Sequence, residues 1–286
     1  KDYIEAQYHV RDESLINERK KLLGEKGVIA QTAYLECTPV YKLDSAFKNI
    51  PLPETAQKVL HEISKLKAGI YNPPYVHQAA ALKEFFSEPS KDLLIATGTG
   101  SGKTESFLMP LVAKLSIESA SNSASKNLPG IRAILLYPMN ALVNDQLGRI
   151  RKLLGNEQVN NLVSKGRSRR VRFGSYIGRT PYAGLRTDKK DQNLISPLFE
   201  NFYFRISKKP DVLEELISMG RWPSKDMEGF FGKAGDGKRS KNWKDRLKTQ
   251  NGDRELLTRH EMQKECPDIL ITNYSMLEYM LMRPIE

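Results

Sequence analysis

Apolar and polar positions follow two different rhythms along the chain. Up to about residue 70 apolar residues recur at helical spacing, as in "ESLINERKKLLGEKG" (13–27), where Gly24 and Gly27 offer stops. The pattern repeats in "PETAQKVLHEISKLKAG" (53–69), entered through Pro53 and closed by Gly69. Both read as amphipathic packing helices. From residue 91 the rhythm becomes a short apolar run followed by a helical stripe. "DLLIAT" predicts a buried strand, and "KTESFLMPLVAKLSIESA" the helix after it, with Pro110 adjusting its early turns. A polar loop, "SNSASKNLPG", leads to a strand in "RAILLYP" and a helix in "NALVNDQLGRIRKLLG", with Asn140 placed to cap it and Gly155 to end it. "VRFGSYIG" is a third strand candidate, and "PDILITN" with "YSMLEYMLM" a fourth strand and helix. Strands alternating with helices predict an α/β fold with a parallel, doubly wound sheet.

The alternation breaks between about Leu185 and Gln263, where "FYFRIS", "DVLEELISMGRWP" and "FGKAGDGKRSKNWKDRLKTQNGD" follow one another. A connection this long inside a compact sheet carries structure of its own, or is functional or disordered. It reads as an inserted basic subdomain with a flexible centre near 232–241. The charge supports an unusual role for this part. The chain of 286 residues has a net charge of +11, and residues 161–260 hold 23 Lys and Arg against 12 Asp and Glu, which accounts for all of it. On charge alone the segment is either a solvated surface or a polyanion contact.

Composition excludes some classes. No apolar run approaches the roughly 18 residues of a membrane span, so no membrane role is expected. The two cysteines, Cys37 and Cys266, are far apart and lack metal-ligand spacing, which argues against a disulfide framework or a zinc site. The first residues have no signal-peptide layout, and the chain is expected to be cytoplasmic and trimmed at its N-terminus.

The chemistry centres on "ATGTGSGKTESF" (96–107). Three glycines and a lysine between an apolar run and a helix match the geometry in which backbone N–H groups surround a phosphate at a helix N-terminus. Gly98, Gly100 and Gly102 allow close approach, with Thr99 and Ser101 between them. Lys103 would reach the β and γ oxygens, and the Thr104 hydroxyl would ligate Mg²⁺. The strict pattern GxxxxGK[ST] asks for glycine at 97, where this chain has Thr97. Phosphate binding alone does not define a reaction, and a small-molecule kinase also has such a loop.

This stretch resembles motif I of superfamily 2 DEAD/DEAH-type helicases, A-x-T-G-x-G-K-T. Three more stretches fall in the family's order: "YNPPYVHQAAAL" is similar to the Q-motif region, "LLYPMNALVNDQL" to motif Ia, and "PDILITNYSMLEYML" to motif Ib. The resemblance implies a RecA-like P-loop domain that uses ATP and Mg²⁺. It implies that Gln78 reads the adenine edge with Tyr71 or Tyr75 packing near the base; the alternative is that they only join a helix to its neighbours. Pro138, Asn140, Gln146, Thr272 and Asn273 lie where relatives touch a nucleic-acid backbone, the alternative for Asn140 being a helix cap and for Thr272 and Asn273 a turn. "SYIGRTP" is similar to a loop that also approaches the strand, which adds Arg179 and Thr180, while Tyr176 is expected in the core. Within the superfamily, "YPMNALVNDQ", "TNYSMLEYMLMRP" and the N-terminal element look most like large bacterial helicases of anti-phage defence islands, such as the DISARM and Druantia helicases, with part of the pattern shared by MrfA-type repair helicases.

The resemblance lays out the chain as an N-terminal helical extension (1–70), the first part of a RecA-like domain (71–184), the basic insertion (185–263) and the domain's continuation (264–286). The family's Walker B strand, ending in Asp-Glu-x-His, is expected after motif Ib, so the chain is expected to be the N-terminal part of a longer helicase that alone does not hydrolyse ATP. The implied function is an ATP-dependent helicase or translocase with DNA favoured over RNA and with protein partners in a defence complex. Its rival is a nucleotide-gated nucleic-acid scaffold. Lys233, Lys238, Arg239, Lys241, Lys244 and Arg246 of the insertion are candidate nucleic-acid contacts.

Overall fold

The computed structural model describes the chain except residues 32, 34, 36, 38, 39, 90, 233–242 and 284–286. The chain forms two compact units, Lys1–Tyr41 and Lys42–Glu286. The first contains helices α1 (Asp2–Gln7) and α2 (Glu13–Leu22), neither with a buried residue. Asp12 caps α2 by accepting from the backbone N–H of Ser14 and Leu15, and these bonds with the Ser14 hydroxyl hold its carboxyl below the usual range.

The second unit is built on a four-stranded, wholly parallel sheet: β1 (Ala133–Tyr137), β2 (Phe173–Tyr176), β3 (Glu255–Leu256) and β4 (Ile269–Asn273), in the order β1-β4-β2-β3. The β1–β4 register runs from Ala133 opposite Ile269 to Tyr137 opposite Asn273. Phe173 lies opposite Ile269 on one side of β2 and opposite Glu255 on the other. Central β4 is buried through Thr272, as a parallel strand covered on both faces must be. The helices α3 (Glu54–Lys65), α4 (Val76–Phe85), α5 (Lys103–Ala120), α6 (Asn140–Leu153) and α7 (Glu157–Val163) follow in chain order. Leu60, Ile63, Met109, Val112, Ile150 and Ile271 share their main core. Thus α3, which the sequence places in an N-terminal extension, is packed in the core of the sheet-bearing unit.

One strand expectation is overturned. Residues 91–97, which include "DLLIAT", pair with no strand, and Leu94 is 96% exposed. An apolar run becomes a strand only when a neighbour accepts its backbone hydrogen bonds. Among the described residues, β1 pairs only with β4 and leaves its other side open, with Ile134 and Leu136 exposed.

The insertion is largely helical. Short α-turns α8 (Asp188–Lys190), α9 (Ser196–Leu198) and α10 (Phe204–Ser207) alternate with π-turns at Asp191–Ile195 and Phe199–Tyr203. They lead into α11 (Pro210–Ser218) and α12 (Met227–Phe231). Phe199, Phe204, Phe230 and Phe231 form a separate aromatic core, with Phe199 stacked on Phe231 at 4.4 Å between ring centres. The segment then supplies β3 and α13 (Arg259–Lys264), so it completes one edge of the sheet. Its expected flexible centre falls almost wholly outside the described residues.

Much of the basic excess is consumed internally. Asp268, fully buried just before β4, pairs with Arg167 at 2.9 Å, Arg169 at 2.7 Å and Arg132 at 3.3 Å, and accepts from the Arg172 backbone N–H. Glu118 binds Arg132 and Arg167 as well. Although burial raises the Glu118 pKa, these arginines bring its carboxyl below the usual range. Within the insertion, buried Lys225 bridges Asp253 and Glu261.

Candidate nucleotide and nucleic-acid site

The glycine loop between the apolar run and α5 adopts the backbone its composition requires. Gly100 and Gly102 have φ of +78° and +76°, a region that side chains with a Cβ seldom enter. At Gly102 a Cβ would also stand 2.5 Å from the Gln78 Nε2 and displace that side chain from the loop. Gly102 is the N-cap of α5, so Lys103 and Thr104 open an 18-residue helix whose free N–H groups and dipole face the loop. The Lys103 Nζ donates to the carbonyl oxygens of Thr97 at 2.7 Å and Gly98 at 3.3 Å. The Thr97 and Ser101 hydroxyls lie 2.6 Å apart and tie the loop across its width. Lys103 and Thr99 are exposed, Thr104 is half-buried and Ser101 is buried.

Gln78 connects the Q-motif region to this loop. Its Oε1 accepts from the Tyr75 backbone N–H at the start of α4, and its Nε2 donates to the Gly102 carbonyl, both at 3.0 Å. Tyr75 stacks beside His77, and Tyr71 is 70% exposed. A link not legible beforehand joins the loop to α6: Glu105, in the first turn of α5, pairs with Arg149 at 3.2 Å. Only the position of an acid next to Gly-Lys-Thr hinted at it.

The other candidates gather at the carboxyl ends of the strands, the side on which open α/β sheets bind ligands. The segment after β1 carries Pro138 and Asn140, Asn273 is the last residue of β4, and the segment after β2 carries Arg179 and Thr180, in that spatial order. Asn140 does not cap α6; Met139 is its N-cap. The side chain of Asn140 instead accepts from Asn273 Nδ2 at 2.5 Å, across 133 residues of sequence. Asn273 caps α14 (Tyr274–Met282) by accepting from the Met276 N–H at 2.7 Å. Three candidates are turned inward. Thr272 is fully buried and donates to the Tyr176 carbonyl, Thr180 donates to the Ser175 carbonyl, and Gln146 is 8% exposed with its amide on Asp145. Pro138 and Arg179 are exposed, and Tyr176 is core. Their placement leaves the surface row to Pro138, Asn140, Asn273 and Arg179, supported from beneath by the two threonines.

Of the insertion's candidate contacts, Lys233, Lys238, Arg239 and Lys241 lie outside the described residues. Lys244 stands over the Trp243 ring, while Arg246 is 5% exposed over Phe231 and belongs to the insertion's interior.

A parallel sheet with a glycine loop at the N-terminus of α5 and a polar row along its carboxyl ends defines a RecA-like P-loop domain. Residues 75–187 match the DEAD/DEAH box helicase family. The chain is 54% identical over 297 aligned residues to the Druantia protein DruE of Escherichia coli (strain UMEA 4076-1), covering 99% of this chain and 16% of that protein. It is 27% identical over 133 residues to the ATP-dependent RNA helicase DBP6 of Yarrowia lipolytica, covering 46% of this chain and 20% of the relative. Identity to the ATP-dependent RNA helicase DBP7 of Meyerozyma guilliermondii is 31% over 137 residues, 48% of this chain and 17% of the relative. The chain thus spans a fifth or less of these relatives. No helix among the described residues is long and apolar enough to cross a membrane.

Proposed function

We propose that this chain is the nucleotide-binding part of an ATP-driven helicase or translocase that moves along DNA and serves a cytoplasmic anti-phage defence system with protein partners. The observation that carries the reading is the glycine cradle at α5, with left-handed backbone at Gly100 and Gly102, facing the same end of the sheet as the Asn140–Asn273 pair. One end of the sheet thus presents both a phosphate site and a row of strand contacts. The 54% identity to a Druantia protein over nearly the whole chain supports the defence role.

The residues present fit a Mg²⁺-bound nucleoside triphosphate. The loop from Thr99 to Gly102 offers backbone N–H groups, Lys103 supplies a cation already held beside the loop, and Thr104 offers a hydroxyl for the metal. When bound, ATP would supply the phosphoryl group whose transfer to water releases free energy, and Mg²⁺ would offset the charge of the phosphates. The chain's own part is to orient the phosphates and to exchange the Lys103 bonds with loop carbonyls for bonds to phosphate oxygens. Gln78, bonded to the Gly102 carbonyl, carries the position of that loop to α4 and to Tyr71 and Tyr75 near the base. Along the row, Pro138, Asn140, Asn273 and Arg179 hold the sugar–phosphate backbone, contacts that position a strand without reading its sequence.

The test is ATP hydrolysis by the full-length protein, alone and with single-stranded DNA or RNA. Stimulation by DNA is expected. Stimulation by RNA alone would reassign the track, and nucleotide binding without hydrolysis under any condition would replace the motor with a nucleotide-gated scaffold.

A further inference from the structure

A cleft of about 1400 Å³ opens beside α6, away from the row just described. One wall is the α3–α4 connection and the first turns of α5, another is the C-terminal half of α6, and the third comes from the insertion, residues 217–225 and Arg254. Its charges separate into two groups. Arg149 pairs with Glu105 and Asp145, Arg151 with Glu255, and Lys225 with Asp253 and Glu261. These are structural ties. Lys67, Lys152, Arg221 and Arg254 also line the cleft, and among the described residues no carboxylate forms an ion pair with any of them. The buried Arg254 Nε has no hydrogen-bond partner. The two carboxylates on the lining, Glu105 and Asp145, share Arg149, and Arg254 lies near Glu157 and Asp253, which leaves Lys67, Lys152 and Arg221 as the cations an entering anion meets without an ion-paired carboxylate.

We infer that this cleft binds a single-stranded nucleic-acid segment, continuing the track from the carboxyl ends of the strands along α6 to the insertion. The inference rests on the motor reading above and extends it. Three features identify the ligand class. The volume exceeds the roughly 300–1,000 Å³ typical of a small-molecule pocket, which suits several linked units better than one. The unmatched cations suit a repeating phosphate. Two aromatic side chains, the 70% exposed Tyr71 and the half-buried Trp222, line different walls, and aromatic surfaces in a basic groove are how single strands are held without sequence preference. The path is continuous as well. Asn140 opens α6 and Lys152 lies twelve residues on, about 18 Å along the helix at 1.5 Å per residue.

The test uses the full-length protein with the paired charge reversal Lys152→Glu/Arg221→Glu, both exposed positions outside the nucleotide loop and the row. Binding of a labelled single-stranded DNA 20-mer is followed by fluorescence anisotropy across 50–200 mM salt, beside Asn140→Ala/Asn273→Ala and the parent. The charge reversal is expected to lower affinity about tenfold and to flatten the logarithmic salt dependence by about 1.4, roughly 0.7 per lost contact on a single strand. Strand-free ATP hydrolysis stays at the parent rate. Parent-like affinity and slope, with binding weakened only by the asparagine pair, would overturn the cleft and leave the motor standing. Loss of ATP affinity with strand binding intact would assign the cleft to nucleotide and overturn it too. A parent that binds no strand would remove both readings.

Discussion

The two ends of the parallel sheet treat their polar residues in opposite ways. At the amino ends of the strands, Asp268 is fully buried and shared by Arg132, Arg167 and Arg169, with Glu118 closing the network. At the carboxyl ends, among the described residues Lys103 is held by loop carbonyls alone, and Asn140 and Asn273 hold one another at a half-buried surface. Charges of the first kind are fixed in one arrangement, because breaking any pair leaves a desolvated ion behind. Polar groups of the second kind exchange partners at little cost. The contrast separates the residues that hold the fold from those that can take a ligand.

Breaking the closed end should have the largest effect. Asp268→Ala leaves three guanidinium groups crowded without their shared anion, and stability should fall by about 3–5 kcal/mol, read from chemical denaturation. Unchanged stability would show that water reaches the cluster. At the open end, Lys103→Ala should reduce ATP hydrolysis by the full-length protein about a hundredfold or more, equivalent to about 2.7 kcal/mol, with little change in melting temperature. A comparable loss of melting temperature would make Lys103 a structural residue like the arginines below. Asn273→Ala removes the cap of α14 as well as the partner of Asn140, and should cost about 1 kcal/mol of stability. Asn273→Asp keeps the cap and should restore that stability without restoring the donated bond to Asn140.

The smallest effect lies in the insertion. His260 packs edge-on to Tyr182, and burial, aided by Arg186 and Lys190, lowers its pKa from 6.5. In the unfolded chain the imidazole takes up its proton at a higher pH than in the folded one, so stability should decline as pH falls below about 6.5. His260→Gln should flatten that part of the pH–stability curve by a fraction of a kcal/mol, with the partial exposure of the ring limiting the effect.

These comparisons also show what could be read in advance. Three strands were legible because β1, β2 and β4 are short apolar runs, two of them followed by helical stripes, and the glycine loop was legible because its glycines, lysine and threonine adjoin in sequence. "DLLIAT" misled for a physical reason: apolar spacing records a wish for burial, while strand formation depends on a neighbour. β3 gave no signal because it is two residues long, and one of them, Glu255, is buried only because Arg151 neutralises it from 104 residues away. The same blindness affected charge. Arg167, Arg169 and Arg172 counted towards a basic surface, yet each is consumed by a distant carboxylate. The row at the carboxyl ends was legible as a set of names. That Thr180, Thr272 and Gln146 point inward required the fold.

The seat of the insertion on α6 has a consequence for engineering. Gly148 and Gly220 bring two backbones so close that a Cβ at 220 would lie 2.2 Å from the Gly148 carbonyl oxygen. Three residues along α6, Arg151 grips Glu255 and the carbonyl oxygens of Gly220 and Arg221. Residues 185–263 are therefore portable only together with their socket. A graft onto another motor domain needs an arginine at the position of Arg151 on the receiving helix and must keep the insertion's own Gly220, since a Cβ on the helix at 148 would stand an ordinary 3.6 Å from the Gly220 carbonyl oxygen.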